Sequence, residues 1–455
     1  MTRRSLPLRS LTERLKGTAR FAGIFALVHT KGIHLLTNRA PFVIFAVLVA
    51  AVATVAACGG RSAPSAGTFV PQPARVASIP AKSPIGILGS GKNAALDNLV
   101  VDFMIAQQVP NAQLAVSLKG KTTFSHAYTY RGVAVSTTQP STIMRLASNT
   151  KAWTSGALYN LIKGGKVDPN ARVFQYLGIT KPLPEHAKVD KRVFDITIED
   201  MILHESGWDD SKPPYYDPTF AMRQIALALH LKKAVGQVDY VRYQLHQPLQ
   251  ETPGTTYAYC NFCYTVLGMV VAKASKASYA DYVANDVAGP LGVKNVEISP
   301  TVGKRLSNEV AKYYSAYTGL SAVYVTSNRR YPYPKSGDDM VLEVAGGAGA
   351  LATNADSMLA FMKKYLIWGI GTPEPGADWA REGSMPGTNT WAEQLPNGAH
   401  YAFLVNTRQY IYGNDPNAFE DLQSRIEKQL DPGFASSRQR QFPEAASPGG
   451  AAAAP

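Results

Sequence analysis

Met144-Arg-Leu-Ala-Ser148-Asn-Thr-Lys151-Ala-Trp153 is the stretch on which the reading of this 455-residue chain turns. A serine hydroxyl is a poor nucleophile at neutral pH and needs a base beside it. On a helix that base can come from three positions on, because residues i and i+3 share a face. Ser148 and Lys151 have this spacing, and Trp153, Leu158, Leu161 and Ile162 continue it as the apolar side of an amphipathic helix. Ser148 is therefore expected at a helix N-terminus, where the backbone dipole favours developing negative charge. Burial of Lys151 would disfavour its ammonium form and bring its pKa toward the working range of a base. Spacing alone decides little, since roughly one chance copy of Ser-x-x-Lys is expected in a chain of this length.

Three further segments supply the context. Ile196-Thr-Ile-Glu-Asp-Met-Ile-Leu-His-Glu-Ser-Gly207 follows the serine helix. Pro253-Gly-Thr-Thr-Tyr-Ala-Tyr259-Cys-Asn261 runs into Val266-Leu-Gly-Met269, and Ala345-Gly-Gly-Ala-Gly-Ala-Leu-Ala-Thr-Asn-Ala-Asp356 comes later. In this order, together with Met144 to Trp153, they resemble the serine β-lactamase and penicillin-binding protein family in its class C and esterase-like branch. The resemblance runs from about Ala94 to Leu430. It implies that Ser148 is the nucleophile and Lys151 its base, and that Tyr259 passes protons between nucleophile and leaving group. It also implies that Asn261 orients substrate and lysine. Read without the resemblance, Tyr259 is a half-buried aromatic near a turn. A second Tyr-x-Asn, Tyr412-Gly413-Asn414, lacks a following helix and is read as a loop. His204 matches a position beside a structural turn and is assigned no chemistry.

The third motif of that family lies on a strand and reads Lys-Thr-Gly, His-x-Gly or Trp-x-Gly. Its best match here is Arg381-Glu382-Gly383-Ser384, followed by Met-Pro-Gly387 and a hairpin. The resemblance then implies an oxyanion hole made by the backbone N–H groups of Ser148 and Ser384, with Arg381 and Gly383 beside substrate. Lys335-Ser336-Gly337 fits the pattern better but stands before Ala345-Gly-Gly, in the wrong order. Arg381 and Glu382 both depart from the pattern. β-Lactams and D-alanyl peptides present a carboxylate, which Glu382 would repel unless Arg381 neutralised it. An ester or amide without that carboxylate fits better, so the expected activity is that of an esterase-like serine hydrolase. A D-specific peptidase, penicillin-binding protein or β-lactamase of the cell wall is the alternative within enzymes. A non-catalytic envelope binding module is the alternative outside them.

Working outward, a hydrophobic content of 45% is enough for a sizeable core. A helical pattern, Leu96, Leu99, Val100 and Met104, precedes two alternating runs around Gly120, Gln113 to Lys119 and Thr122 to Tyr128. Helices dominate from Ser148 to about Ser278, and the Tyr- and Pro-rich stretch Tyr313 to Pro334 reads as irregular. Thr388 to Leu395 and His400 to Asn406 flank Pro396-Asn397-Gly398, a strong hairpin signal, and a helix follows from Phe419 to Leu430. Strands at both ends predict an α/β (α+β) fold: one antiparallel sheet built from both chain ends and flanked by helices, with an inserted, mostly helical subdomain. With the resemblance this is a β-lactamase/transpeptidase-like domain over residues 94–431.

The formal net charge of +13 is not spread evenly. Arg3, Arg4, Arg9, Arg14, Lys16, Arg20, Lys31 and Arg39 face only Glu13 in the first forty residues, and no basic run elsewhere would track phosphates, so no nucleic-acid partner is expected. The uncharged run Pro41 to Ala57 ends in small residues, so residues 1–57 read as an export signal. Val55-Ala-Ala-Cys58 resembles a lipobox, which makes Cys58 the lipidation site and the protein an envelope lipoprotein. The same run also fits an uncleaved anchor of the same orientation. In either case the partner expected is a membrane, and the body lies outside the cytoplasm. Residues 58–93 read as a flexible tether and 432–455 as a disordered tail. Within the tether, Gly86 to Lys92 nearly fits a phosphate-binding loop, but Asn93 stands where magnesium needs Ser or Thr. The eight histidines show no metal-ligand spacing, so no cofactor is expected, and the substrate is a small-molecule or peptide-like acyl compound. Cys260 and Cys263 read as two half-buried residues of one helix face, although an exported pair could oxidise; no disulfide framework is expected.

Overall fold

A computed structural model describes residues 68–69, 84–213, 216–333, 340–376, 378–412 and 415–433. Cys58, Lys335-Ser336-Gly337, Gly413-Asn414, the N-terminal basic and apolar run and nearly all of the C-terminal tail lie outside the described residues. Along the chain run β1 (Ile85–Ser90), α1 (Ala94–Ala106), β2 (Asn111–Leu118), β3 (Lys121–Tyr130), α2 (Thr150–Lys163) and α3 (Asn261–Ser275). They are followed by α4 (Ala355–Met362), β4 (Trp379–Met385), β5 (Thr388–Gln394), β6 (Ala399–Val405) and α5 (Ala418–Leu430), with shorter helices and strands between.

The expected architecture is the observed one. The six strands form an antiparallel sheet in the order β4-β5-β6-β2-β3-β1. The chain ends join at its centre, where β6 pairs with β2 through Ala402 and Ala115. Helices cover both faces, which is why almost every residue of β2, β5 and β6 is buried. On one face lie α1 and α5, whose Leu96, Val100, Phe103, Phe419, Leu422 and Ile426 form a core with the sheet. Phe103 stands edge-on to Phe403 at 6.0 Å and to Phe419 at 6.2 Å. The other face carries the larger core, in which Trp153 of α2 meets Phe361 of α4 at 4.6 Å. Between β3 and β4 the chain builds the mostly helical insertion, whose short helices include Ile198–Ile202, Met222–Ala228 and Gln237–Gln244. Turn chemistry supports the elements locally. Asn93 caps α1 by accepting from the Leu96 N–H at 3.2 Å, and Thr197 with Asp200 forms a capping box. Gly398 takes the left-handed conformation its hairpin needs, at φ 82°.

Two expectations give way. The tether does not extend to Lys92, because β1 pairs with β3 from Ile85 to Ser90, and Thr68–Phe69 pairs with Tyr317 and Thr318. Glycine-rich sequence misled here because its glycines serve close approach instead of flexibility. A Cβ on Gly89 would fall 2.0 Å from the Ser125 carbonyl oxygen. This extended edge strand also leaves no loop in which a phosphate could be cradled. The second correction concerns Cys260 and Cys263, which are joined in a disulfide across the first turn of α3.

Candidate active site

The chain between β3 and α2 passes through a short strand, Met144–Arg145, and a 3-10 turn, Ala147–Asn149, before α2 begins at Thr150. Ser148 thus sits just ahead of a helix, half-buried, while Lys151 in the first helical turn is fully buried. Ala147 takes φ 48°, a left-handed conformation that costs a non-glycine residue on the order of 1 kcal/mol and persists only where the surroundings impose it. Those surroundings are visible. Asn149 Nδ2 donates to Thr390 Oγ1 at 2.9 Å and to the Arg381 carbonyl at 3.3 Å, and Thr390 Oγ1 donates to the Leu146 carbonyl at 2.8 Å. The serine turn is therefore clamped against the edge strand β4. Gly383 makes the clamp sterically feasible, since a Cβ there would lie 2.1 Å from the Leu146 carbonyl oxygen and 2.4 Å from Thr390 Oγ1.

Two groups converge on one oxygen. Lys151 Nζ lies 3.0 Å from Ser148 Oγ, and the Tyr259 hydroxyl donates to the same oxygen at 2.8 Å. Lys151 Nζ also donates to Asn261 Oδ1 at 2.7 Å and to the Ala348 carbonyl at 2.8 Å. Both of these are pure acceptors, so they take the two N–H bonds of a neutral amine and leave its lone pair facing Ser148 Oγ. The neutral form is the one the site favours. Burial holds Lys151 well below the ordinary lysine value, the Arg381 guanidinium lowers it further, and Asp217 opposes them. Burial moves Tyr259 the other way and keeps its phenol protonated, against the weaker pull of Arg381 and the hydrogen bond to Ser148. The two partners of Ser148 are thereby separated into an acceptor and a donor of protons.

Tyr259 is held from behind by His204, whose ring stacks on it at 4.9 Å. His204 Nδ1 accepts from the Cys260 N–H at 2.9 Å. Burial, with the Arg381 guanidinium nearby, keeps that imidazole neutral, so His204 acts as a wedge and carries no charge. Asn261 opens α3, with the disulfide on either side of it in sequence.

Arg381 departs from its expected place. It is only 1% exposed, donates from Nε to the Ile367 carbonyl at 2.9 Å and stacks on Trp368 at 4.0 Å. Among the described residues its Nη1 and Nη2 have no hydrogen-bond partner. It lies behind the cleft and reaches the site through its field, so a direct hold on substrate is not what this geometry offers. Neither does it neutralise Glu382, because neighbouring strand residues point to opposite faces. Glu382 is half-buried and acts electrostatically on Tyr410, with Arg408 on the same side. Arg408 Nη1 donates to Ser384 Oγ at 3.0 Å.

Sequence reasoning missed Asp217, the Ala348 carbonyl and Trp368. Asp217 Oδ2 accepts from Asn261 Nδ2 at 2.7 Å and its Oδ1 accepts from the Thr219 N–H at 2.8 Å. Its signal was the Asp-Pro-Thr turn, which marks a cap without marking a site. Ala348 stands inside the Ala345-Gly-Gly segment, but a carbonyl leaves no mark in a sequence. Among the described residues no cluster of His, Cys, Asp or Glu could hold a metal ion, and no helix is long and apolar enough to cross a membrane.

Comparison with known proteins agrees with this architecture. A family model described as Beta-lactamase matches residues 96–421. Protein flp of Staphylococcus aureus (strain N315) is 25% identical over 212 residues, 46% of this chain and 39% of that protein. A putative D-alanyl-D-alanine carboxypeptidase of Escherichia coli (strain K12) is 26% identical over 160 residues, 35% of this chain and 34% of that protein. The matches thus span well under half of these relatives. Among solved structures, a D-stereospecific amidohydrolase from Streptomyces sp. superposes with a TM-score of 0.53 at 18% identity, covering 75% of this chain and all of that one. EstCE1, a hydrolase with promiscuous acyltransferase activity, gives 0.52 at 15% identity, covering 73% and 98%. With a family match over most of its described length, the chain belongs to the Beta-lactamase family of serine hydrolases.

Proposed function

We propose that this protein is an exported serine hydrolase that cleaves an ester or amide through an acyl-enzyme on Ser148. The observation that carries the reading is the convergence of Lys151 Nζ and the Tyr259 hydroxyl on Ser148 Oγ, at 3.0 and 2.8 Å. In the first half-reaction the Ser148 proton passes to the lone pair of Lys151 as Oγ bonds to the substrate carbonyl carbon. The carbonyl oxygen gains negative charge at the start of α2, where the helix dipole and the backbone N–H groups of Ser148 and Ser384 favour it. As the bond to the leaving group breaks, that group takes a proton from the Tyr259 and Lys151 pair. Water then attacks the acyl carbon, gives its proton to the same base, and Ser148 recovers its hydrogen. A fluorophosphonate probe should label the wild type and leave Ser148→Ala unlabelled; absence of labelling in both under all conditions would favour a non-catalytic binding module.

Substrate preference is read as esterase-like. Arg381 is withdrawn from the cleft and Glu382 adds negative charge on the strand, so neither favours a substrate carboxylate. Faster turnover of nitrocefin, or faster release of D-alanine from a peptide, than of short acyl esters would instead support the cell-wall reading. That reading draws on the printed name of the Escherichia coli relative. Export and attachment to the membrane rest on the basic N-terminus, the apolar run and Cys58. They predict membrane-fraction protein that incorporates labelled palmitate and loses the label in Cys58→Ser.

A further inference from the structure

Beside the site, and touching it through Tyr259 and Asn261, is a cleft lined by Asp209, Asp210 and Asp217 with Tyr216 and Gln244. Among the described residues no lysine, arginine or histidine lines it. Lys212 reaches Asp209 at 3.4 Å from outside and also pairs with Glu251. Asp217 accepts one hydrogen bond on each oxygen, from Asn261 and from Thr219, which leaves acceptor capacity on both. Asp210 has no cation within ion-pair distance among the described residues. Burial and the charges of Asp217 and Asp209 push its carboxyl up to about 7, a mark of concentrated negative charge in the cleft. A second observation is independent of these carboxylates. Gln244, only 2% exposed, lines the same cleft, and neither its Oε1 nor the Tyr216 hydroxyl has a hydrogen-bond partner among the described residues. A buried acceptor left unpaired costs about 1–3 kcal/mol, a loss that a donor on a bound ligand would recover. Among the described residues these carboxylates do not form a metal-ligating cluster.

We propose that this cleft is the subsite for a protonated amine carried on the acyl part of the substrate, held by Asp210 and Asp217 with Gln244 Oε1 as a further acceptor. The proposal rests on the hydrolase reading and narrows it to basic acyl groups. Hydrogen bonds of about 3 Å link Ser148 to Asp217 through Lys151 and Asn261. The amine therefore lies several bonds from the scissile carbonyl, as in a lysine- or ornithine-like acyl group, and not at its α-carbon.

The test compares 4-nitrophenyl 6-aminohexanoate with its uncharged isostere 4-nitrophenyl heptanoate on the full chain. Wild type should favour the amino ester in kcat/KM by about tenfold or more, the effect of one desolvated charge pair. Asp210→Asn should erase most of that preference, read as the ratio of the two esters in kcat/KM. A wild-type ratio near one, or equal loss of both activities in Asp210→Asn, overturns the subsite. If neither ester acylates Ser148, the hydrolase reading falls, and calorimetry with Ser148→Ala protein decides the subsite alone. Binding of hexylammonium in preference to hexanol, lost in Asp210→Asn, supports it; equal or no binding of the two overturns it.

Discussion

Gly383→Ala tests whether the edge strand and the serine turn act as one unit. The added Cβ would meet the Leu146 carbonyl oxygen at 2.1 Å, Thr390 Oγ1 at 2.4 Å and the Asn149 nitrogen at 3.0 Å. Two of these are backbone atoms, and the third belongs to the side chain that donates to Leu146. Relief therefore requires β4 and the turn to part by roughly 1 Å, a misplacement that costs on the order of a hundredfold in rate when it affects a catalytic constellation. Overpacking should also cost about 1–3 kcal/mol of stability, tolerable for a domain of this size. The assay is kcat for a short neutral acyl ester, beside a thermal melt to establish that the variant is folded. Thr390→Ala added to Gly383→Ala removes the side-chain clash and leaves the backbone one, so the double variant should not recover. A folded Gly383→Ala protein within about threefold of wild-type kcat would refute the reasoning, because the clash would then be absorbed without disturbing the oxyanion donors.

Lys151→Met should abolish acylation of Ser148 while raising the melting temperature at neutral pH. The sign follows from the lowered pKa: the native state holds this amine neutral while the unfolded chain binds the proton, so below the ordinary lysine value stability rises with pH, and the variant removes that penalty. Arg381→Met removes a positive neighbour of the base, so the Lys151 pKa should rise and the acid limb of the kcat/KM profile should move to higher pH; an unmoved limb would show that burial alone sets the base. For Cys260 and Cys263, intact-mass analysis after alkylation without reductant should find neither thiol free, and addition of both labels would contradict the disulfide.

Much of this was legible because short-range chemistry fixes it. Ser148 and Lys151 share a face by helical spacing, and Asn397-Gly398 marks the last hairpin, so β5 and β6 could be foreseen as antiparallel neighbours. Where sequence reading stopped, the determinant was long-range. Asp217 reads as a cap, and becomes part of the site only because the insertion folds it against Asn261, 44 positions away. Gly89 reads as a flexible residue until β3 is seen lying against it. Arg381 reads as a charge facing substrate until Trp368 and Ile367 are found to enclose it.

The placement of charge follows one logic. A lysine serves as a base only if its ammonium form is made costly, and burial with a cation behind it achieves this without contact between the two side chains. A cation kept there cannot also hold a substrate carboxylate, because the enclosure that focuses its field on Lys151 shields it from solvent and ligand alike. Arg381 occupies the strand position at which the family resemblance expects a substrate-facing cation, and its burial withdraws it from that task. On the open side of the site the charge is of opposite sign, in Asp209, Asp210 and Asp217. An anionic group on that side of the site would meet repulsion. A substrate with a positive group would be drawn toward Asn261, the residue that aligns the base. Charge around the site is in this way partitioned, positive behind Lys151 and negative in front of it.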